Sequence, residues 1–271
     1  MLWNASGRGE VLLVQGLIAQ GAEVDWHDAE MDGSTALHAA SQKGKVAVVD
    51  ALIAAGCQVE AECSGGYTAC FMAAQFNQVE VLRRLIRAGA DVNRAASQSP
   101  GGRPIHVAAG QGHAAVIDCL LAAGALVDAR DSQGATALAI GSQDGKLEAV
   151  RSLICAGADV NVVFIDSNGN SATALMHASQ YIHPSVVEAL LEAGADANFA
   201  SPESGVTVLM AACIGGSEAC VRALLAGGAD PRLATPEGGT ALGAAKHFKH
   251  HAIAALIKAK LRELPSAGNG V

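Results

Sequence analysis

Aromatic side chains are scarce in this chain: Trp, Tyr and Phe make up 3% of its 271 residues. A core organised around rings is therefore excluded. Because 51% of the residues are still hydrophobic, the interior must be filled by aliphatic ridges and by small Ala and Gly surfaces that let backbones approach closely. Positive charge is short as well, with 18 Lys and Arg against 26 Asp and Glu. A net charge of −8 repels phosphate backbones and argues against nucleic acid as a partner. Five of the cations fall between Lys246 and Arg262, a stretch without Asp or Glu, where they suit the end of a last helix.

No apolar run is long enough to span a membrane. The segment VLLVQGLIA (11–19) has the outline of a signal-peptide core, but Glu10 precedes it, Gln15 interrupts it, and VVDALIAAG and VLRRLIRAG echo it downstream. The seven cysteines, at 57, 63, 70, 119, 155, 213 and 220, contain no CxxC pair and no zinc-site spacing with His. They read as reduced, mostly buried thiols of a cytoplasmic, or else nuclear, protein.

What the chain has in abundance is repetition. STALHAASQKG (34–44) returns as YTACFMAAQFN, GRPIHVAAGQG, ATALAIGSQDG, ATALMHASQYI, VTVLMAACIGG and GTALGAAKHFK. Thr35, Thr68, Arg103, Thr136, Thr173, Thr207 and Thr240 mark the phase, at intervals of 33, 35, 33, 37, 34 and 33 residues. Gly21, Gly56, Gly89, Gly124, Gly157, Gly194 and Gly228 keep the same rhythm. Two independent markers in one phase make this an internal repeat.

Local rules predict each unit. Thr is a good N-cap, and the Ala or Pro after it opens a helix of about two turns. In the second unit that helix stops at Gly44, a residue suited to the left-handed conformation. A second helix carries Val48, Val49, Leu52 and Ile53 on one stripe and ends at Gly56. GADVN-type residues and a following Gly then predict an extended turn or hairpin. Helices this short are marginal alone in water, so they must stack. Ala39-Ala40, Ala73-Ala74 and Ala108-Ala109 leave room for neighbouring first helices to pack closely.

The phrases GSTALHAA (33–40) and GADVN (89–93) resemble the ankyrin repeat pattern G-x-T-P-L-H-x-A-A…G-A-D-V-N. The resemblance implies an all-α solenoid of stacked helix-turn-helix units with β-hairpin or turn fingers, over residues 1–262. Its repeats fall at about 1–29, 30–62, 63–97, 98–130, 131–167, 168–200, 201–234 and 235–262, followed by a flexible tail at 263–271. Departures are specific: Pro follows the cap only at Pro104, and the mid-unit Gly is replaced by Asn77, Ile182 and Lys249. Met1 aligns with the middle of a unit, so the first hairpin is missing. The chain either begins with a truncated cap or is a slice of something longer.

Two patterns suggest other chemistry. Gly110-x-Gly112-x-x-Ala115, with Asp128 downstream, has the outline of a dinucleotide fingerprint. Gly112 is nevertheless in phase with Gly44 and Gly145, and Asp128 with Asn93 and Asn161, so the repeat accounts for every residue the fingerprint would use. His247 and His251 have i, i+4 spacing, but no carboxylate or Cys accompanies them as a metal site requires. His38, His106 and His177 sit at or beside the TPLH histidine of the resemblance, a structural position. No nucleophile, base and acid set stands outside the repeat, so the chain reads as non-catalytic, with no cofactor and no metal.

The resemblance implies that the chain binds another protein or peptide. Family contacts come from the hairpin tips and from two positions before the mid-unit Gly. Carried over, these positions hold Gln42, Gln75, Phe76, Gln143, Gln180, Tyr181 and Phe248. Aromatics there suit an interface anchor, amides suit adaptable hydrogen bonding, and the competing reading is packing against the neighbouring hairpin. The longest interval contains Val162, Val163, Phe164 and Ile165; exposed, this run with Phe164 would be a binding patch, and folded back it would be filler. Tyr67 and Met31, near other hairpin tips, are candidates of the same kind. The sequence thus predicts a monomeric scaffold or adaptor. The alternative is the targeting module of a longer enzyme or ubiquitin-ligase receptor, and a third reading is a small-ligand binder using residues 110–128.

Overall fold

The structure, a computed structural model, describes residues 1–97, 102–166 and 168–264. The expected flexible tail lies outside the described residues beyond Leu264. Contacts divide the chain into two compact units, Met1–Ser132 and Gln133–Val271.

Unit 1 contains four helix pairs: α1 (Leu2–Arg8) with α2 (Val11–Ala19), α3 (Ala36–Gln42) with α4 (Val46–Ala54), α5 (Ala69–Gln75) with α6 (Val79–Arg87), and α7 (Pro104–Gln111) with α8 (Ala114–Ala122). The first helix of each pair packs on the first helix of the next, and the second on the second. The Ala pairs explain the close approach of the first helices: Ala39, Ala40, Ala73, Ala74, Ala108 and Ala109 are all buried. The second helices contribute a three-residue core that recurs as Val48, Val49 and Leu52, then Val81, Leu82 and Leu85, then Val116, Ile117 and Leu120. At α2 the corresponding stripe is open, with Leu13 50% exposed and Leu17 half-buried where Val48 and Leu52 are sealed.

Unit 2 repeats the plan with α9 (Ala137–Gln143) and α10 (Leu147–Cys155), α11 (Ala174–Gln180) and α12 (Pro184–Glu192), α13 (Val208–Gly215) and α14 (Glu218–Ala226), and α15 (Ala241–His247) and α16 (His251–Glu263). Here the longest interval builds a hairpin, in which β1 (Phe164–Ile165) pairs antiparallel with β2 (Ser171–Ala172). Its turn is held by Asp166, whose Oδ1 accepts from the N–H groups of Asn168 (2.8 Å) and Asn170 (2.9 Å). Other fingers carry single bridges, as Asp28 with Ser34, Ala200 with Thr207 and Ala234 with Thr240 do.

Side-chain clamps between repeats account for much of the order. Asn161 Nδ2 donates to the Gly194 carbonyl (3.2 Å) while its Oδ1 accepts from Asp196 N–H (2.8 Å). Asn198 does the same to Gly228 and Asp230, and Asn93 to Gly124 and Leu126. Each clamp pairs a carbonyl just past the next repeat's second helix and the N–H two residues further on, so neither loop group is left open.

Among the described residues no helix is long and apolar enough to cross a membrane. The i, i+4 spacing of His247 and His251 does not fall on one helix. His247 ends α15, Lys249 turns the chain with φ 61°, and His251 begins α16, so the two do not share a helix. Gly110 lies inside α7 and Gly112 closes it with φ 82°, a helix where a dinucleotide fingerprint requires a strand.

Candidate functional site: the C-terminal ends of the first helices

The N-termini of the first helices are structural. Thr68, Thr136, Thr173, Thr207 and Thr240 each accept from the N–H three residues on. At α3 the cap is extended by His38: Thr35 N–H donates to its Nδ1 (3.1 Å), so Nε2 carries the hydrogen and donates to the Tyr67 carbonyl (2.9 Å). His106 repeats this, accepting from Arg103 N–H and donating to the Ala129 carbonyl (2.9 Å). Burial holds the His38 imidazole below its ordinary value, which suits a neutral linker. His177 differs, lying one position further along and packed edge-on between Phe164 (4.9 Å) and Tyr181 (5.7 Å).

The opposite ends of these helices carry the surface side chains. Gln42, Gln75 and Gln143 are fixed through their carbonyls, which accept from Gln78 Nε2 (3.5 Å), His113 Nε2 (3.2 Å) and His183 Nε2 (2.8 Å) of the following repeat. Their amide side chains are left to the solvent side, half-buried at Gln42 and Gln75 and exposed at Gln143 and Gln180. The residue after each Gln caps its helix. Phe76, Tyr181 and Phe248 stand at such caps and are 41%, 47% and 47% exposed. Three of the scarce rings are thus spent on the surface at these caps.

Two expected contact residues are placed otherwise. Phe164 is buried against His177, so the binding-patch expectation for Phe164 is corrected, while Val163 and Ile165 of the same run stay exposed. The β1 register explains it: pairing with Ala172 turns Phe164 inward and leaves Ile165 exposed. Tyr67 is half-buried with its ring 4.7 Å from Phe71. Ile182 was missed: it is 48% exposed beside Tyr181. Its signal was the loss of the mid-unit Gly.

In unit 2, Asp166, Asn168 and Asn170 of the hairpin face Met176, Gln180, Ala211 and Ile214 across a depression of ≈ 180 Å³. Ser201, Ser204 and Val206 line it as well. Glu203, between Ser201 and Ser204 in sequence, accepts from Ser171 N–H (3.0 Å), Ser171 Oγ (2.8 Å) and Ser201 Oγ (2.7 Å). These bonds, the Ser171 N–H foremost, hold the Glu203 carboxyl down at about 2. Its charge is committed to joining two fingers. Among the described residues no three His, Cys, Asp or Glu side chains cluster as metal ligands.

A helix pair per repeat, capped by Thr at one end and Gly at the other, defines an ankyrin solenoid. The family model described as Ankyrin repeats (3 copies) matches residues 2–96, 95–164 and 175–264, and the chain belongs to the ankyrin repeat family. It is 32% identical over 152 residues to the ankyrin repeat and KH domain-containing protein mask-1 of Caenorhabditis elegans, covering 56% of this chain and 5% of that protein. Over 127 residues it is 32% identical to the probable E3 ubiquitin-protein ligase XBOS31 of Oryza sativa subsp. japonica, covering 47% of this chain and 28% of that protein. The chain therefore spans less than a third of either curated relative. The solved ankyrin repeat domain of human ASB11 superposes with a TM-score of 0.72 at 25% identity, covering 85% of this chain and 98% of that one. Ankyrin repeats are in general protein-protein interaction modules.

Proposed function

We propose that this chain is a non-catalytic scaffold or adaptor that binds a partner protein or peptide over the C-terminal ends of its first helices. The observation that carries the reading is the exposure of Phe76, Tyr181 and Phe248 in a protein with so few rings. Exposed aromatics contribute little to folding but anchor interfaces, because they bury much area for little entropy. The buried cysteines fit a reducing compartment, the cytoplasm or nucleus.

Affinity enrichment from a native lysate tests this, comparing the chain with a doubly substituted Phe76→Ala, Tyr181→Ala version of equal helical content. Truncating an anchor costs roughly 2 kcal/mol or more, enough to release a micromolar partner. A protein retained only by the unsubstituted chain supports the reading; identical retention by both contradicts it. The 28% coverage of a probable ubiquitin ligase favours a second reading, that these repeats are the targeting part of a longer enzyme. The full-length transcript decides that point.

A further inference from the structure

Ile182 turns the chain between α11 and α12 with φ 66°, where the neighbouring repeats of unit 2 have Gly145 (φ 67°) and Gly216 (φ 83°). A β-branched residue is strained in that conformation, and with its side chain 48% exposed, packing does not offset the strain. The fold gains nothing from Ile182 that Gly would not supply. One repeat further on, the position equivalent to Tyr181 is Gly215, where a Cβ would stand 2.6 Å from the Gln180 carbonyl. Beside it Ile214 is 39% exposed. In the last repeat the position is Phe248, held edge-on by His247 (5.0 Å) and stacked on His250 (6.4 Å). In repeat order, exposed Ile214 thus falls between exposed Tyr181 and exposed Phe248, and Ile214 itself lines the ≈ 180 Å³ depression.

The ends of this row differ in charge. At the first repeat of unit 2 the equivalent of Tyr181 is Asp144, which is exposed. At the last, Lys246 and Lys249 are exposed, and neither pairs with a carboxylate among the described residues. We propose that unit 2 takes an extended acidic peptide segment, with an aliphatic side chain over Ile214 and carboxylates against Lys249 and Lys246. The assignment rests on the interaction reading above and names the chemistry of its partner. Repeats are spaced by roughly 8–10 Å, as packed helices are, and an extended chain advances about 3.3 Å per residue. The carboxylate therefore falls about three residues from the aliphatic side chain.

A display library of random twelve-residue segments, panned on the folded full chain, tests this, with affinities of the recovered segments measured by fluorescence anisotropy. The expected segments pair Leu, Ile, Val or Met with Asp or Glu about three residues away, and their binding weakens with salt. Lys249→Gly, which suits the positive φ, should weaken them about tenfold. Ile182→Gly should raise the urea midpoint while weakening binding. Segments that depend on Tyr181 and Phe248 but carry no carboxylate, or ignore Lys249→Gly, overturn the acidic assignment alone. Recovery of nothing, or of segments indifferent to Tyr181→Ala and Phe248→Ala, overturns the groove reading in unit 2 as well.

Discussion

His38 shows how a single side chain joins two repeats and ties stability to pH. Its Nδ1 already accepts from Thr35 N–H, so a proton placed there would break the cap. Burial, the largest cause, sets the folded value below the ordinary 6.5. The unfolded chain then binds the proton more readily, so the stability contribution is complete above pH 6.5 and is lost as pH falls through the folded value. The urea midpoint should drop between about pH 7.5 and pH 5.5, and His38→Gln should flatten that slope. The thiols divide in the same residue-level way. Burial pushes Cys70 and Cys213 up to about 12 and Cys57 to about 11, whereas Cys155 is exposed. A colorimetric disulfide reagent should label Cys155 rapidly in the folded chain and reach Cys70 and Cys213 only in denaturant.

Among elements, burial rather than residue type sets the expected losses. Leu190 is fully buried in α12, and Leu190→Ala should cost about 2–5 kcal/mol in urea unfolding. Leu13 in α2 occupies the place of buried Val48 but is 50% exposed, so Leu13→Ala should cost under about 1 kcal/mol. Helices of this kind were legible from Thr and Gly punctuation, because caps and left-handed turns are local requirements. The fate of Phe164 was not: strand alternation says that one of Phe164 and Ile165 faces in, and only the pairing with Ala172 and Ser171 says which. The helix break between His247 and His251 is hidden for a related reason, since Lys249 adopts a turn conformation usually marked by Gly. Ile182 hid its exposure behind the same kind of replacement.

At the scale of the whole molecule, a unit whose repeats each pack on their neighbours should tolerate the loss of one. Removing Thr207 to Gly239, one interval of the repeat, should leave a helical protein with a lower urea midpoint; loss of helical circular dichroism at low temperature would contradict the stacking account. Stacking also explains why the partner was the least legible property of the sequence. Buried columns obey the repeat and can be read from it, whereas Phe76, Tyr181 and Phe248 occupy cap positions where the fold accepts many residues. The central claim is that such rings are held for a partner and not for the fold, and the urea midpoint of Phe76→Ala tests it most directly. The expected midpoint stays within about 0.5 kcal/mol of the unsubstituted chain, as for an exposed side chain; a loss of about 2 kcal/mol or more would show that Phe76 belongs to the packed structure.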